Sequence, residues 1–348
     1  MNPYDFVRLD WSHPPVRRAF VRHDRLTGWS GQITCRLIAE TPLFLPDTSG
    51  ERSPQRFLRT GRARQAIIPG SSLKGLLRSL VETLGPGCWW LFDGTYEKQT
   101  VSYTEKLPPE FRQCSDLDRL CIACRLFGLV QGHAASLLGR VGADDARCTD
   151  EVRHQAVYTP PLDTPKPRHR AWYLNPDGRL AGRKFYFHQS GIATLHGEHR
   201  TRAGAMLNAY IEPVGIGSVF TFDVPFTSLD ETELALLTYA LALEDGMRHK
   251  IGYAKPAGFG SVRITIERLK RFQWPDRYLN GATEVLEDQA LATHLAAARK
   301  QATETIAPTT LMDLRRVWAW PPRGEYAYPS QQWFRDHPNA PISATTGQ

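Results

Sequence analysis

Three cysteines lie close together in the chain, at Cys114, Cys121 and Cys124. Their spacing, C-x6-C-x2-C, is compatible with three thiolate ligands of a tetrahedral zinc ion, which then needs a fourth ligand from elsewhere. The candidates of suitable type are Cys88, His133 and Cys148. We favour Cys88 or His133 and assign Cys88. Three unrelated buried thiols are the competing interpretation.

A second group of residues suits the binding of an anion. The segment Ile68-Pro-Gly-Ser-Ser-Leu-Lys-Gly75 reads as a strand end, a turn and the start of a helix. Backbone N–H groups at a helix start, the hydroxyls of Ser71 and Ser72 and the ammonium of Lys74 together form a ready anion site. In the competing interpretation this is an ordinary helix, capped by Ser71 or Ser72 and closed by Gly85 in a left-handed conformation.

Cations are concentrated in two stretches. The first runs from residue 52 to 78 without an acid and contains Arg52, Arg56, Arg59, Arg62, Arg64, Lys74 and Arg78. The second runs from Lys166 to Lys184 and contains one acid, Asp177. Such blocks suit a polyanionic partner, although they also occur as solvated loops.

Composition limits the class of protein. The chain has 348 residues, a net charge of +7 and six cysteines, which are too few for a disulfide scaffold of this size. No stretch is long and apolar enough to span a bilayer, and the first residues lack the apolar middle of a signal peptide. We therefore expect a globular, cytoplasmic protein, in which clustered cysteines favour metal binding.

The elements that must position these residues follow a recognisable order. Strands are predicted at residues 31–39, 181–188, 217–226 and from about 262, from their apolar alternation. Helices are predicted after Pro69 and from about residue 230 to 245, the second with a capping box of Ser228 and Glu231. The order strand, helix, strand, strand, helix, strand predicts an α+β, ferredoxin-like fold with large insertions.

Two further regions complete the chain. A long basic loop is predicted between residues 42 and 66, and long loops of this kind are often functional. Residues 271–348 are predicted to form a helical and irregular C-terminal extension with a disordered end, following a domain that spans residues 1–270.

Six segments, in this order, resemble the RAMP superfamily of CRISPR-associated proteins, especially the backbone subunits of type III effector complexes. They are Pro3-Tyr-Asp-Phe-Val7, the Ile68 to Gly75 segment with Leu77-Arg78, Cys121-Ile-Ala-Cys-Arg-Leu-Phe-Gly128, Gly139-Arg-Val141 with Asp145-Ala146, Gly182-Arg-Lys-Phe-Tyr-Phe-His188, and the stretch from Lys250 to Ser261. The resemblance spans about residues 3–268. It implies a fold similar to RNA recognition modules (RRM-like), an antiviral role, and copies that stack along a guide RNA.

The resemblance also implies partners and site residues. The partners would be guide RNA (crRNA), target RNA, and other RAMP and large-subunit proteins of a type III complex. A guide held without regard to sequence is gripped through its phosphates, its 2′-hydroxyls and stacking. The expected RNA-binding residues are Ser71, Ser72, Lys74, Arg78, Arg183, Lys184, Lys250, Lys255, Gly258, Gly260, Arg52, Arg56 and Arg59. For the two glycines, a tight turn before a strand is the competing interpretation.

Target RNA cleavage is the last function that the resemblance suggests. Type III backbone subunits typically cut with an aspartate in the loop after the first strand. Here that loop offers Asp47 and Glu51, of which we choose Asp47, with Mg²⁺ as the expected ion. An Asx-turn at Asp47 is the competing interpretation. The resemblance further implies a zinc-binding insertion around residues 86–135. The alternatives for the whole chain are a non-catalytic structural RAMP subunit and a metal-independent guide-RNA processing endoribonuclease.

Overall fold

The computed structural model describes residues 2–48, 53–91, 93–96, 99–131, 135–162, 170–201 and 203–345. Within these residues no helix is both long enough and apolar enough to cross a bilayer.

The strands, in chain order, are β1 (Tyr4–Val7), β2 (Trp29–Ala39), β3 (Gln55–Arg56), β4 (Arg59–Thr60), β5 (Gln65–Ile68), β6 (Asp93–Tyr96), β7 (Gln99–Ser102), β8 (Gly128–Gln131), β9 (Ala135–Leu138), β10 (Ala146–Asp150), β11 (Val157–Tyr158), β12 (Arg183–Tyr186), β13 (Tyr210–Glu212), β14 (Val219–Leu229), β15 (His249–Lys250), β16 (Ser261–Gln273) and β17 (Glu284–Leu286). The helices are α1 (Gly70–Leu84), α2 (Ile122–Phe127), α3 (Arg170–Tyr173), α4 (Glu231–Leu241), α5 (Trp274–Asn280), α6 (Asp288–Thr305), α7 (Pro308–Val317) and α8 (Gln331–Asp336).

An antiparallel sheet forms the centre of the protein, with strand order β15-β16-β2-β14-β10-β5-β4. Strand β2 lies in the middle and pairs along its length with β14 and β16, so that Leu37 lies opposite both Phe220 and Ile264. Alternate residues of β2 point into the core, as the period-two pattern of its sequence predicts. The α+β class is therefore confirmed, and the predicted first strand is two residues longer than expected.

The second strand of the predicted series is a different segment in the structure: after α1, the next strand of the central sheet along the chain is β10 rather than β12. The place beside β14 is taken by β10, whereas β12, predicted as a member of this series, pairs with β1 in a separate two-stranded sheet. Strand β10 has the sequence ARCTD, in which only Ala146 and Cys148 are buried. So short and polar a segment carries almost no strand signal, while the aromatic β12 carries a strong one.

Helix α1 begins at Gly70, so Ser71 and Ser72 lie inside its first turn and neither side chain caps it. The predicted serine cap is wrong. Instead, a carboxylate oxygen of Asp145 accepts a hydrogen bond of 2.8 Å from the backbone N–H of Gly70. The helix ends at Gly85 as expected, but with φ −105° rather than in the left-handed region.

Helix α4 begins with a capping box, although at a different position from the predicted one. Asp230 is the cap and Glu233 its partner, rather than Ser228 and Glu231. The carboxylate of Glu233 is buried and also accepts hydrogen bonds from Arg125 at 3.0 Å and Arg140 at 2.7 Å. Burial alone would raise the pKa of Glu233, but these two guanidinium groups outweigh it and lower that pKa.

The C-terminal helices pack back onto the domain. Helix α7 contacts β1 and β12, and the carboxylate of Asp313 holds the guanidinium of Arg8 through two hydrogen bonds of 2.7 and 3.0 Å. Trp318 is 2% exposed and lies against Phe185, with ring centroids 5.1 Å apart. Residues 308–318 thus pack against β12 and β1 from one side.

We expect Glu233→Gln to lower the free energy of unfolding by about 3 kcal/mol, because the two buried guanidinium groups lose the carboxylate that they share while the capping box can still form. Urea denaturation at pH 7 measures this change. Glu304→Gln, on the exposed side of α6, is the matched control and should leave the midpoint nearly unchanged. Equal midpoints for the two variants would contradict the assigned role of Glu233.

Candidate nucleic-acid interface and tetracysteine centre

A cavity of about 540 Å³ opens between α1, β12 and the loop that follows β15. Its lining residues come from five segments and are Leu45, Pro46, Ser72, Gly75, Leu76, Ser79, Lys184, Phe185, Tyr186, Lys250, Ile251, Gly252, Tyr253, Lys255 and Trp318. None of them is acidic. The structure therefore brings the predicted helix start and the predicted glycine-rich loop to one cavity.

Three lysines supply the charge of this cavity. The ammonium of Lys250 donates to the carbonyl of Gly258 at 3.3 Å and to the hydroxyl of Ser261 at 3.1 Å. That of Lys255 donates to the carbonyl of Gly252 at 2.7 Å. Among the described residues, no carboxylate forms a salt bridge with Lys184, Lys250 or Lys255, so their charge is available to an anion.

Burial lowers the pKa of each of these lysines. The pKa of Lys250 falls from 10.5 to about 7 and that of Lys184 to about 8, first because of desolvation and then because of the nearby charge of Lys255. Desolvation also lowers the pKa of Lys255. A cavity that holds poorly solvated cations together gains stability when a polyanion enters and neutralises them.

Aromatic rings hold Lys184 in position. Its ammonium lies 3.7 Å from the ring centroid of Tyr4 and 4.8 Å from that of Tyr186, so both rings contribute cation–π attraction. Tyr186 and Tyr253 also line the cavity, and Tyr253 is 36% exposed. The site thus combines cations with aromatic surface, the two features that grip single-stranded nucleic acid.

The glycines around the cavity fall into two kinds. Gly258 and Gly260 have positive φ, and a Cβ on them would lie 2.2 Å from the carbonyl oxygen of Gly191 and 1.8 Å from that of Ile251, respectively. The protein's own backbone therefore explains both, which favours the tight-turn interpretation. Gly75 is different: it lies within α1, faces the cavity, and a Cβ there would have nothing within 4 Å.

The other predicted RNA-binding residues that the structure describes lie outside the cavity lining. Ser71 is exposed on the first turn of α1, and Lys74 is half-buried. Arg56 lies 3.7 Å from Glu212, and Arg59 makes two hydrogen bonds to Glu151. Arg52 falls outside the described residues.

Asp47 lies at the margin of the cavity, directly after Leu45 and Pro46 of the lining. Its backbone N–H donates to the carbonyl of Arg56 at 2.9 Å, and its carboxylate lies 3.6 Å from the guanidinium of Arg64. The side chain is only 10% exposed. Backbone pairing thus orders part of the predicted loop and holds Asp47 next to the residues that line the cavity.

The cysteines that were predicted to bind metal come together. The sulfur atoms of Cys88, Cys114, Cys121 and Cys124 all lie within 4.8 Å of one another, and all four residues are buried. Cys148, an alternative fourth ligand, lies in β10, and His133 falls outside the described residues. Cys121 caps α2 and Cys124 lies in its first turn, so the helix start sets the C-x2-C pair.

The surroundings of the four sulfurs suit negative charge. Backbone N–H groups of Cys121 and Cys88 donate to the sulfurs of Cys114 and Cys121, at 3.2 and 3.4 Å. Hydrogen bonds among the sulfurs, that from Cys114 first, lower the pKa of Cys121 well below its ordinary value, while they raise the pKa values of Cys88 and Cys124. Because metals bind the thiolate, the closeness of the four sulfurs and these backbone donors, rather than the pKa values, fit a tetrahedral divalent metal ion.

Two arginines predicted to bind RNA, Arg78 and Arg183, lie beside the cysteines. Arg78 donates to a carboxylate oxygen of Glu82 at 2.9 Å and contacts the sulfur of Cys124 at 3.6 Å. Arg183 donates to the other oxygen of Glu82 at 3.1 Å and to the carbonyl of Cys88 at 2.8 Å. Both guanidinium groups are therefore engaged inside the protein.

Comparison with known protein families agrees with this arrangement. A family model described as the RAMP superfamily matches residues 36–263, which is well over half of the chain. The chain belongs to the RAMP superfamily. Membership suggests a CRISPR-associated, RNA-binding role for this RAMP protein. A search of curated proteins found no match. Strand β1 and the helices after β16 lie outside the matched segment.

Sequence reasoning missed several contributors to the site of this RAMP protein. Gly75 was predicted to matter only as part of the Ile68 to Gly75 segment. A glycine in a helix interior without a conformational reason is itself a signal that another molecule or backbone lies close to the helix. Tyr253 and Trp318 were not assigned to the cavity, because nothing local in the sequence shows that the segment after α7 returns to β12. The absence of acidic residues from the lining around the three lysines likewise depends on tertiary structure, because the lining comes from segments that are far apart in the sequence.

We expect Lys250→Met to change how the free energy of unfolding varies with pH. In the folded state the pKa of Lys250 is about 7, whereas in the unfolded chain it returns towards 10.5. Between these values the unfolded state binds more protons, so Lys250 makes the wild type more stable as pH rises from 7 to 9. The variant should lack this rise.

Urea denaturation at pH 6, 7, 8 and 9 measures the difference between the two proteins. Lys300→Met on α6 is the control, because it removes an exposed cation without touching the cavity. A constant difference between wild type and Lys250→Met across this range would show that Lys250 is not buried as a poorly solvated cation.

Proposed function

We propose that this RAMP protein is a subunit of a type III CRISPR effector complex that holds the backbone of a guide RNA in the cavity described above. The observation that carries the proposal is the set of three lysines, Lys184, Lys250 and Lys255, which line one cavity that contains no acid. Phosphodiesters would supply the negative partners that these lysines do not have within the cavity. Phosphodiester groups are also identical at every nucleotide. Such a site binds RNA independently of its sequence.

Gly75 gives this proposal a second support. A glycine in a helix interior costs about 1 kcal/mol relative to alanine, and here neither a positive φ nor a neighbouring atom requires it. Because Gly75 has no side chain, the backbone of α1 is open to the cavity between Ser72 and Ser79. A ribose-phosphate backbone could then lie directly against the helix, with the two hydroxyls as hydrogen-bonding groups.

The fold supports the same assignment. The four strands β16, β2, β14 and β10 are neighbours in that order, and α1 and α4 follow β2 and β14 in the chain. This order agrees with the predicted ferredoxin-like, RRM-like arrangement, and so it supports the proposal. The insertions between these elements carry the tetracysteine centre and the strands β11 to β13.

We also propose that the tetracysteine centre binds zinc. Four cysteine sulfurs form a closed structural site of the kind that zinc prefers, with no position left for substrate. When bound, zinc would supply a rigid tetrahedral cross-link. Cys88 follows α1 and Cys124 lies in α2, so the cross-link would join the helix of the cavity to the insertion. The expected role is therefore structural rather than catalytic.

Cleavage of target RNA is the second candidate function. It rests on the position of Asp47, which follows two residues of the cavity lining and is held there by its backbone and by Arg64. The carboxylate would bind Mg²⁺ beside a phosphodiester of the target. If Asp47 has no such role, the protein is a non-catalytic subunit, and the guide-binding proposal is unaffected.

We expect Gly75→Ala to have opposite effects on folding and on RNA binding. Without RNA, the free energy of unfolding should rise by about 0.5–1 kcal/mol, because alanine favours a helix. With RNA, the affinity should fall by about tenfold, equivalent to 1.4 kcal/mol, because the methyl group occupies the place of the RNA backbone. Urea denaturation and fluorescence anisotropy with labelled single-stranded RNA measure the two effects.

Gly246→Ala is the matched control, since its Cβ would also have nothing within 4 Å but would lie away from the cavity lining. The same proteins, expressed beside a CRISPR array, should carry repeat-derived RNA in the wild type and less of it in Gly75→Ala. Sequencing of the extracted RNA identifies it. Unrelated RNA in the wild type, or equal RNA affinity for both glycine variants and the wild type, would refute the proposal.

For cleavage, we expect Asp47→Asn in the assembled complex to abolish Mg²⁺-dependent cutting of a paired target while guide binding stays at the wild-type level. Asp24→Asn, at an exposed position, is the control. Cleavage products are followed on a denaturing gel with and without EDTA. Cutting that persists in Asp47→Asn would exclude Asp47 as the catalyst, and cutting that persists in EDTA would favour metal-independent processing.

A further inference from the structure

Both terminal nitrogens of the Arg17 guanidinium contact the segment that carries two of the four clustered cysteines, Cys114 and Cys121. One terminal nitrogen donates to the sulfur of Cys114 at 3.3 Å and lies 3.4 Å from the carbonyl of Arg119. The other donates to the carbonyls of Glu110 and Arg112, at 3.0 and 2.5 Å. Among the described residues, Arg17 forms no salt bridge with a carboxylate, so the sulfur is its only potential anionic partner.

The charge of the proposed zinc site explains why a cation is needed there. Four thiolates and one divalent ion have a net charge of −2, which is costly to bury without compensation. In the part of the chain that the structure describes, two guanidinium groups contact the sulfurs: Arg17 at Cys114 and Arg78 at Cys124. The charge of Arg78 is shared with the carboxylate of Glu82, whereas Arg17 pairs with no described carboxylate, so its charge offsets that of the centre directly.

Backbone pairing fixes Arg17 at this place. The N–H of Arg18 donates to the carbonyl of Leu120 at 3.0 Å, the N–H of Leu120 returns a bond of 2.8 Å, and Phe20 donates to Leu117. The N-terminal segment therefore runs alongside the chain between Cys114 and Cys121. It lies before residue 36, outside the part of the chain that matches the family.

We propose that Arg17 is a positioning and charge-compensating residue of the tetracysteine centre, supplied by the N-terminal segment to stabilise the metal-bound thiolates. This inference rests on the proposed zinc site. A hydrogen bond from a cation lowers the energy of a metal-bound thiolate and holds its orientation, as groups around metal ligands generally do. Arg17 would slow metal release without being a ligand itself.

The test compares zinc release from the full chain for the wild type, Arg17→Lys, Arg17→Gln and Arg17→Met, with a chromogenic chelator in excess. We expect release about 10–100-fold faster in Arg17→Met than in the wild type. Lysine should restore part of the retention because it keeps the charge, and glutamine should restore less. Arg18→Met, which removes the neighbouring exposed guanidinium, is the control and should release zinc at the wild-type rate.

Cobalt-loaded proteins give a readout that a folding defect alone would not produce. Loss of the cation raises the energy of the Cys114 thiolate, so the sulfur-to-cobalt charge-transfer band should move to longer wavelength in Arg17→Met and less in Arg17→Lys. Unchanged bands and release rates in all Arg17 variants would overturn the inference. A wild-type chain that binds neither zinc nor cobalt would instead overturn the zinc site on which it rests.

Discussion

The cavity depends on one constraint: three positively charged lysine side chains are held close together with little access to water. Lys184, Lys250 and Lys255 lie in a poorly solvated space, and their ammonium groups are oriented by different contacts. Two tyrosine rings hold Lys184, a serine hydroxyl and a carbonyl hold Lys250, and a carbonyl with the more distant Tyr186 ring holds Lys255. Their mutual repulsion works against the folded state, so the surrounding elements must be strong enough to hold them. The long pairing of β2 with β14 and β16 supplies that rigidity.

Several arginines have a different role, because they form ion pairs with carboxylates inside the protein. Arg78 and Arg183 share the carboxylate of Glu82, and Arg125 and Arg140 share that of Glu233. A planar guanidinium forms several directed hydrogen bonds at once, which suits it to join segments in the interior, whereas a lysine presents a compact charge to a ligand. The identity of each cation therefore says more about where a proposed RNA-binding surface lies than the net charge of the chain does.

The sequence predicted those parts of the protein that depend on local pattern. The alternation in β2 and the apolar face of α1 gave both elements to within two residues, and the C-x2-C pair pointed to the cysteine centre. What remained hidden depends on distant partners. The polar β10 is a strand only because β14 and β5 flank it, and nothing near Arg17 in the chain shows that its partner is Cys114. The grouping of three lysines without an acid is equally a product of tertiary structure.

The two ends of the described chain meet beside the cavity. Strand β1 carries Tyr4, which contacts Lys184, and it is fastened to α7 by Arg8 with Asp313 and by Asp5 with Arg316. Arg8 and Asp313 are 305 residues apart in the chain, so during synthesis on the ribosome β1 emerges long before its partner helix. A nascent chain that ends before α7 and Trp318 lacks one wall of the cavity, so the cavity is complete only after residues 308–318 have been made.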